Sequence, residues 1–217
     1  MRQALGLQGI RLSQTNLALY RELFSRDFSD DDVQRIHASY MLCIQLFAQR
    51  FRADGRPFVT HLVGTASAAL NYGQDLISNT DGVVAAILHA AYTQGEFGDS
   101  LPRRHPVHRQ RVRAVTGHAA EELINSYADT PWPPLEHMEH NWVKKDVSAA
   151  SLTTRRVFAL KAVNDLDDLL DFAPLYVGDA KRKKKEERAN FAVIAASALG
   201  LAKLGDALQR SVESLNQ

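Results

Sequence analysis

Apolar residues recur every three or four positions through most of the chain, and no stretch sustains the strict alternation of a half-buried strand. The pattern predicts an all-α protein of about eight to ten helices. A first short helix is expected over Ser13 to Phe24, with Leu17, Tyr20 and Phe24 on its buried side. Ser29, followed by Asp30, Asp31 and Asp32, supplies a capping hydroxyl and negative charge at the positive end of a helix dipole. That helix is expected to reach about Phe51, burying a stripe of Val33, Ile36, Tyr40, Ile44, Phe47 and Phe51. Gly55 and Pro57 then open a loop over Arg52 to Val59. Thr60 is the candidate cap of a helix ending at Tyr72, with Gly73 as its stop. Val83 to Tyr92, preceded by Thr80 and Asp81 as capping candidates, is nearly all apolar, as a central helix must be.

Glycine and proline breaks make Thr93 to Pro106 an irregular segment. Two helices follow, Val107 to Thr116 and His118 to Ala128, punctuated by Gly117 and closed by Pro131-Trp132-Pro133-Pro134. Periodicity is weak from there to Ser151, where a loop and a short helix are expected. A long helix over Thr153 to Phe172 buries Val157, Leu160, Val163, Leu166 and Leu170, with Pro174 beyond its end. The charged run Lys181 to Arg188 leads into an Ala-rich helical stretch, Phe191 to Leu208, interrupted by Gly200. These divisions imply a helical extension over 1–28, a core over 29–175, and C-terminal helices over 176–217 packed on it.

Composition changes this picture little. The chain has 217 residues, 45% apolar and 24% charged, with a formal net charge of +1. It is long enough for a sizeable core and has no global pull toward nucleic acid or an anionic membrane. The single cysteine, Cys43, lies in an apolar helical run and reads as packing. The opening MRQALGLQGIRLSQ lacks the long apolar run of a signal peptide, and no segment is apolar enough to span a bilayer. A cytoplasmic protein is expected.

Candidate chemistry gathers where Arg52-Ala53-Asp54-Gly55-Arg56-Pro57-Phe58-Val59-Thr60-His61 precedes Val84-Ala85-Ala86-Ile87-Leu88-His89. With the later Ala159-Leu160-Lys161-Ala162-Val163-Asn164-Asp165-Leu166, these segments resemble the HD-type hydrolase domains of the RelA/SpoT kind. The resemblance covers roughly residues 30 to 170. Two further runs, His61-Leu62-x-Gly64-Thr65 and Leu88-His89-Ala90-Ala91-Tyr92, are similar to uncharacterised HD-like proteins. The resemblance implies an HD-like helical bundle with additional C-terminal helices.

In that family a divalent metal held by a His, a His-Asp pair and a later Asp activates water beside a phosphate. The positions matched here are Phe47, His89-Ala90 and Asn164, so only His89 keeps strong donor character. The acidic pair that follows the His-Asp motif is replaced by Thr93 and Gln94, with Glu96 the nearest carboxylate. Metal-dependent phosphohydrolysis, a metal and any other cofactor are therefore not expected.

What remains is a candidate pocket. His61 and His89 are read as an acid/base pair or ligand contacts, or alternatively as core histidines satisfying polar groups. Arg52 matches a base-contacting arginine of the family, or simply ends a helix. Lys161 and Asn164, three apart on the late helix, could line the same pocket, with Asp165, Asp167 and Asp168 forming its wet side. His105, His108 and His118, and separately His137 and His140, have close spacing but no complete zinc set. The Lys181 to Lys185 run has no interleaved aromatic and reads as a solvated helix start, so nucleic acid is not an expected partner. Three functions stay open: a pseudoenzyme binding a nucleotide-like or small polar ligand for sensing or partner control, a metal-independent enzyme using His89 and His61, or a structural helical subunit. The C-terminal helices either cover the core or form a homodimer interface.

Overall fold

The computed structural model describes residues 10–132, 147–170 and 177–215. Within them the chain is all-α, with eleven named helices and no strand beyond one isolated bridge between Phe51 and Pro57. Helix α1 (Asn16–Phe24) is capped by Thr15, and α2 (Asp30–Phe47) by Ser29. At Ser29 the capping box is complete: Asp32 reaches back to the Ser29 amide while the Ser29 hydroxyl accepts from the Asp32 amide. Helix α3 (Phe58–Tyr72) is followed by the short α4 (Gln74–Ile77), then α5 (Thr80–Leu88) and α6 (Ala91–Gln94). Helices α7 (Pro106–Thr116) and α8 (His118–Asp129) meet at Gly117, whose φ of 84° turns the chain. The long α9 (Leu152–Leu170), α10 (Asp179–Ala198) and α11 (Ala202–Leu215) complete the order, with Gly200 at φ 76° between the last two.

Helices α3, α5 and α9 form the centre. α5 is buried from Gly82 to Leu88 and packs against α2, α3 and α8, while α9 packs on α3, α8, α10 and α11. The stripe expected on α9 is buried as read: Val157, Leu160, Val163, Leu166 and Leu170. None of the helices described is long and apolar enough to cross a membrane.

Several local expectations are corrected. On α1 the core takes Leu19 and Leu23, leaving Leu17 75% and Phe24 67% exposed, because the neighbouring elements meet the opposite side of this short helix. On α2 the buried face is rotated to Ile36, Ser39, Leu42, Cys43, Leu46 and Phe47, and the helix stops at Phe47. Phe51 lies beyond it, 64% exposed. The helix containing His61 starts two residues before Thr60, behind Pro57, so Thr60 is not its cap. At α5 Asn79 caps instead of Thr80 or Asp81, its side chain accepting from the Gly82 amide. Pro133, Pro134, His137, His140 and Pro174 lie outside the described residues.

Candidate functional site

The loop after α2 is a tight turn. The Arg52 amide donates to the Arg56 carbonyl, Gly55 (φ 83°) donates to the Arg52 carbonyl, and Phe58 donates to the Arg50 carbonyl. This turn sets Arg52 beside the start of α3 and the end of α9. Together with the end of α5, α6, α8 and the start of α10, these segments enclose a cavity of about 380 Å³. Arg52, His61, His89, Thr93, Gln94 and Asn164 all line it, so six residues singled out in the sequence converge in space.

His89 is 3% exposed. Its Nδ1 donates to the Ala86 carbonyl at 2.8 Å, which leaves Nε2 as an acceptor with no partner among the described residues. Burial, reinforced by the charge of His61, lowers its pKa from 6.5 to about 3, so this imidazole is neutral at physiological pH. The ring stands edge-on to His61, with centroids 5.5 Å apart, and 5.0 Å from the ring of Tyr127.

His61 is engaged on both nitrogens. Nδ1 lies 2.6 Å from Asp167 Oδ2 and Nε2 lies 3.1 Å from Asn164 Oδ1. The Asn164 amide nitrogen donates to Asp165, which fixes the oxygen toward His61. Both ring nitrogens therefore face oxygens, one of them on a buried carboxylate. Asp167 is fully buried. It reaches His61 only because residue 64 is glycine: a Cβ on Gly64 would stand 1.9 Å from Asp167 Oδ1. The close approach of α3 and α9 gives the His61-x-x-Gly64 run a physical reason.

Asp168 forms the floor between two cations, with Arg52 Nη2 and Lys185 Nζ each 2.5 Å from its carboxylate. Burial raises its pKa, but the charges of His61, Arg52 and Lys185 outweigh that and hold it well below the usual carboxylate range. Lys161 lies behind the wall, its Nζ 4.0 Å from the centre of the Tyr127 ring. Burial lowers its pKa to about 8. Asp165 accepts from Trp132 Nε1 at 3.0 Å, and burial next to Asp168 raises its pKa to about 6. The three aspartates are thus not the wet side of α9. They are absorbed into the site by partners from α3, α10 and Trp132.

Two further readings are revised. Phe47 does not line the cavity; it packs on Phe58, rings 5.4 Å apart, because α2 turns that position into the core. The residue that faces His89, Ala90 and Asn164 is His61. Glu96 also stays outside: its amide donates to the Leu46 carbonyl and its half-exposed carboxylate pairs with Arg50 at 3.4 Å. Sequence reasoning missed Tyr127, Asp168 and Lys185 as cavity walls. Lys185 carried no signal apart from its place in a charged run.

Of the two cavity histidines only His89 has a ring nitrogen, Nε2, left open to a metal among the described residues, since both nitrogens of His61 face oxygens. Among the described residues no group of three or more His, Cys, Asp or Glu is placed to hold a metal ion. His108 is buried and occupied by Asp99 Oδ2 at 2.9 Å and the Pro102 carbonyl at 3.0 Å, stacked on Phe97. That histidine fastens the segment after α6. The Tyr92 hydroxyl, from the Leu-His-x-x-Tyr run, donates to the buried Glu121 and lies in a structural cluster with Arg109 and Arg113. No family model matches the chain, and no curated protein matches it in sequence.

Proposed function

We propose that this chain binds a small polar or nucleotide-like ligand in the cavity around His89, on an HD-like scaffold whose acidic metal ligands are lost, and that it acts as a pseudoenzyme in sensing or partner control. The observation that supports this reading is the Nε2 of His89, an acceptor on the cavity wall with no partner among the described residues. A ligand hydroxyl or N–H in the cavity would donate to it. A structural subunit would have filled this space with side chains. The family's metal-dependent hydrolysis is not proposed, because Ala90 and Asn164 stand where its aspartates would be.

Calorimetric titration with a panel of nucleotides and polar metabolites tests the proposal. A ligand whose affinity falls at least about tenfold in both His89→Ala and Arg52→Ala, with unfolding curves showing both variants folded, is the expected result. Absence of any ligand, or binding indifferent to both substitutions, overturns it.

The Asp167–His61 pair favours one second reading: metal-independent acid/base catalysis, with His89 Nε2 accepting a proton and His61 supplying positive charge beside it. Turnover lost in His89→Ala and indifferent to chelators would select this reading over silent binding.

A further inference from the structure

Trp132, just beyond the end of α8, is wedged between α9 and α10: its ring stacks over Phe158 at 5.6 Å and stands edge-on to Phe191 at 4.7 Å. That packing aims the indole N–H at one oxygen of Asp165, Oδ2 at 3.0 Å. The other oxygen, Oδ1, accepts from the Asn164 side-chain nitrogen at 3.1 Å. The Asn164 oxygen in turn lies 3.1 Å from His61 Nε2 on the cavity wall. Trp132, Asp165, Asn164 and His61 thus form one chain of hydrogen bonds that starts outside the cavity and ends inside it.

The direction of each bond in that chain follows from the chemistry of its members. An indole nitrogen only donates. An ionised carboxylate only accepts, and Asp165 is ionised above neutral pH even though burial and the charge of Asp168 raise its pKa to about 6. A side-chain amide has one donating end and one accepting end, so with its nitrogen given to Asp165 the oxygen of Asn164 is what His61 meets. Nε2 of His61 must then carry a hydrogen.

We infer that Asp165 and Trp132 are positioning residues for this cavity: they fix the Asn164 amide and through it keep a hydrogen on Nε2 of His61, so that His61 is the donor and His89 the acceptor of the histidine pair. Neither Asp165 nor Trp132 lines the cavity that holds the two histidines, so both act through Asn164. The consequence for a ligand rests on the binding reading above: a ligand hydroxyl or N–H is directed to His89 Nε2 and turned away from His61 Nε2.

Nitrogen NMR of the full chain, labelled on histidine and kept free of ligand in mildly alkaline buffer, tests this directly, because a ring nitrogen bearing a hydrogen and a bare one resonate far apart. The His61 signals are those lost in His61→Gln. In the wild-type chain Nε2 is expected to carry its hydrogen, and Trp132→Phe, which leaves the carboxylate in place, should not change that. Asp165→Asn is the decisive variant. Trp132 still donates, so the new amide turns its oxygen to the indole and its nitrogen to Asn164. Two donors then meet, the Asn164 amide turns over, and His61 Nε2 should lose its hydrogen. Adding Trp132→Phe to Asp165→Asn frees the new amide to offer its oxygen to Asn164, and the hydrogen should return to Nε2. A purely structural role for these residues gives no such reversal, since the double variant is the more disrupted protein. A bare Nε2 in the wild-type chain or in Trp132→Phe overturns the inference, as does an unchanged Nε2 in folded Asp165→Asn, and a loss that the double variant does not reverse overturns the role given to Trp132. If Asp165→Asn does not fold, the first two proteins can still refute it. No ligand is added, so these spectra succeed or fail independently of the binding titrations.

Discussion

The imidazole of His61 lies 2.6 Å from the buried carboxylate of Asp167, a pairing between α3 and α9 that spans 106 positions of sequence. Gly64, one turn beyond His61, leaves the space through which that carboxylate passes. The pair joins the two helices that hold most of the candidate site.

Asp167→Ala removes the buried partner of His61 Nδ1, and should lower unfolding free energy by about 3–5 kcal/mol in urea titrations. Gly64→Ala should cost about 1–3 kcal/mol by overpacking against Asp167. The two effects should not add: in the Asp167→Ala background the new methyl has lost its obstacle, and a double-mutant cycle should show the second substitution costing less than in wild type.

His89 gives stability a defined pH dependence. Its folded pKa is depressed to about 3 from 6.5 in the unfolded chain. The unfolded state therefore takes up a proton that the folded state refuses, so stability is fully present above pH 6.5 and is lost toward pH 3, by about 1.4 kcal/mol per pH unit. Asp165, raised from 3.8 to about 6, acts in the opposite direction: its folded form binds the extra proton between these values. Comparing wild type with His89→Gln isolates the histidine. The variant should lose less stability between pH 6.5 and 5, and an equal slope in the two proteins would refute the neutral assignment.

Restoring acidic ligands should restore metal affinity. Ala90 and Asn164 both line the cavity with His61 and His89. Ala90→Asp combined with Asn164→Asp would place two carboxylates beside two imidazoles, a set suited to a divalent transition metal. The double variant should bind Zn²⁺ or Mn²⁺ at least about tenfold more tightly than the wild-type chain in a competition titration.

Glu121 offers a control outside the cavity. It is fully buried and accepts from Arg109, Arg113 and the Tyr92 hydroxyl. Burial raises its pKa, but these partners outweigh that and bring it to about 2. Glu121→Ala should cost about 3–5 kcal/mol while leaving ligand affinity of the folded fraction unchanged.

The sequence by itself determined the helices whose signals are local. Ser29 and its three aspartates mark a helix start because capping and dipole effects act within one turn. Gly117 and Gly200 mark breaks because their positive φ suits a residue without a side chain. The apolar stripe of α9 is legible because its spacing over nineteen residues admits one face. Six of the cavity residues were also legible, through the resemblance their segments bear to HD-type domains. Only the tertiary structure decided which side of α1 and α2 is buried, since short amphipathic helices offer two near-equal faces until a neighbour covers one. It also turned Glu96 toward Arg50 and drew Asp167, Asp168 and Lys185 into the site. The partners of those charges lie on helices distant in sequence, and an ion pair between α3 and α9, or between α9 and α10, exists only once the helices pack.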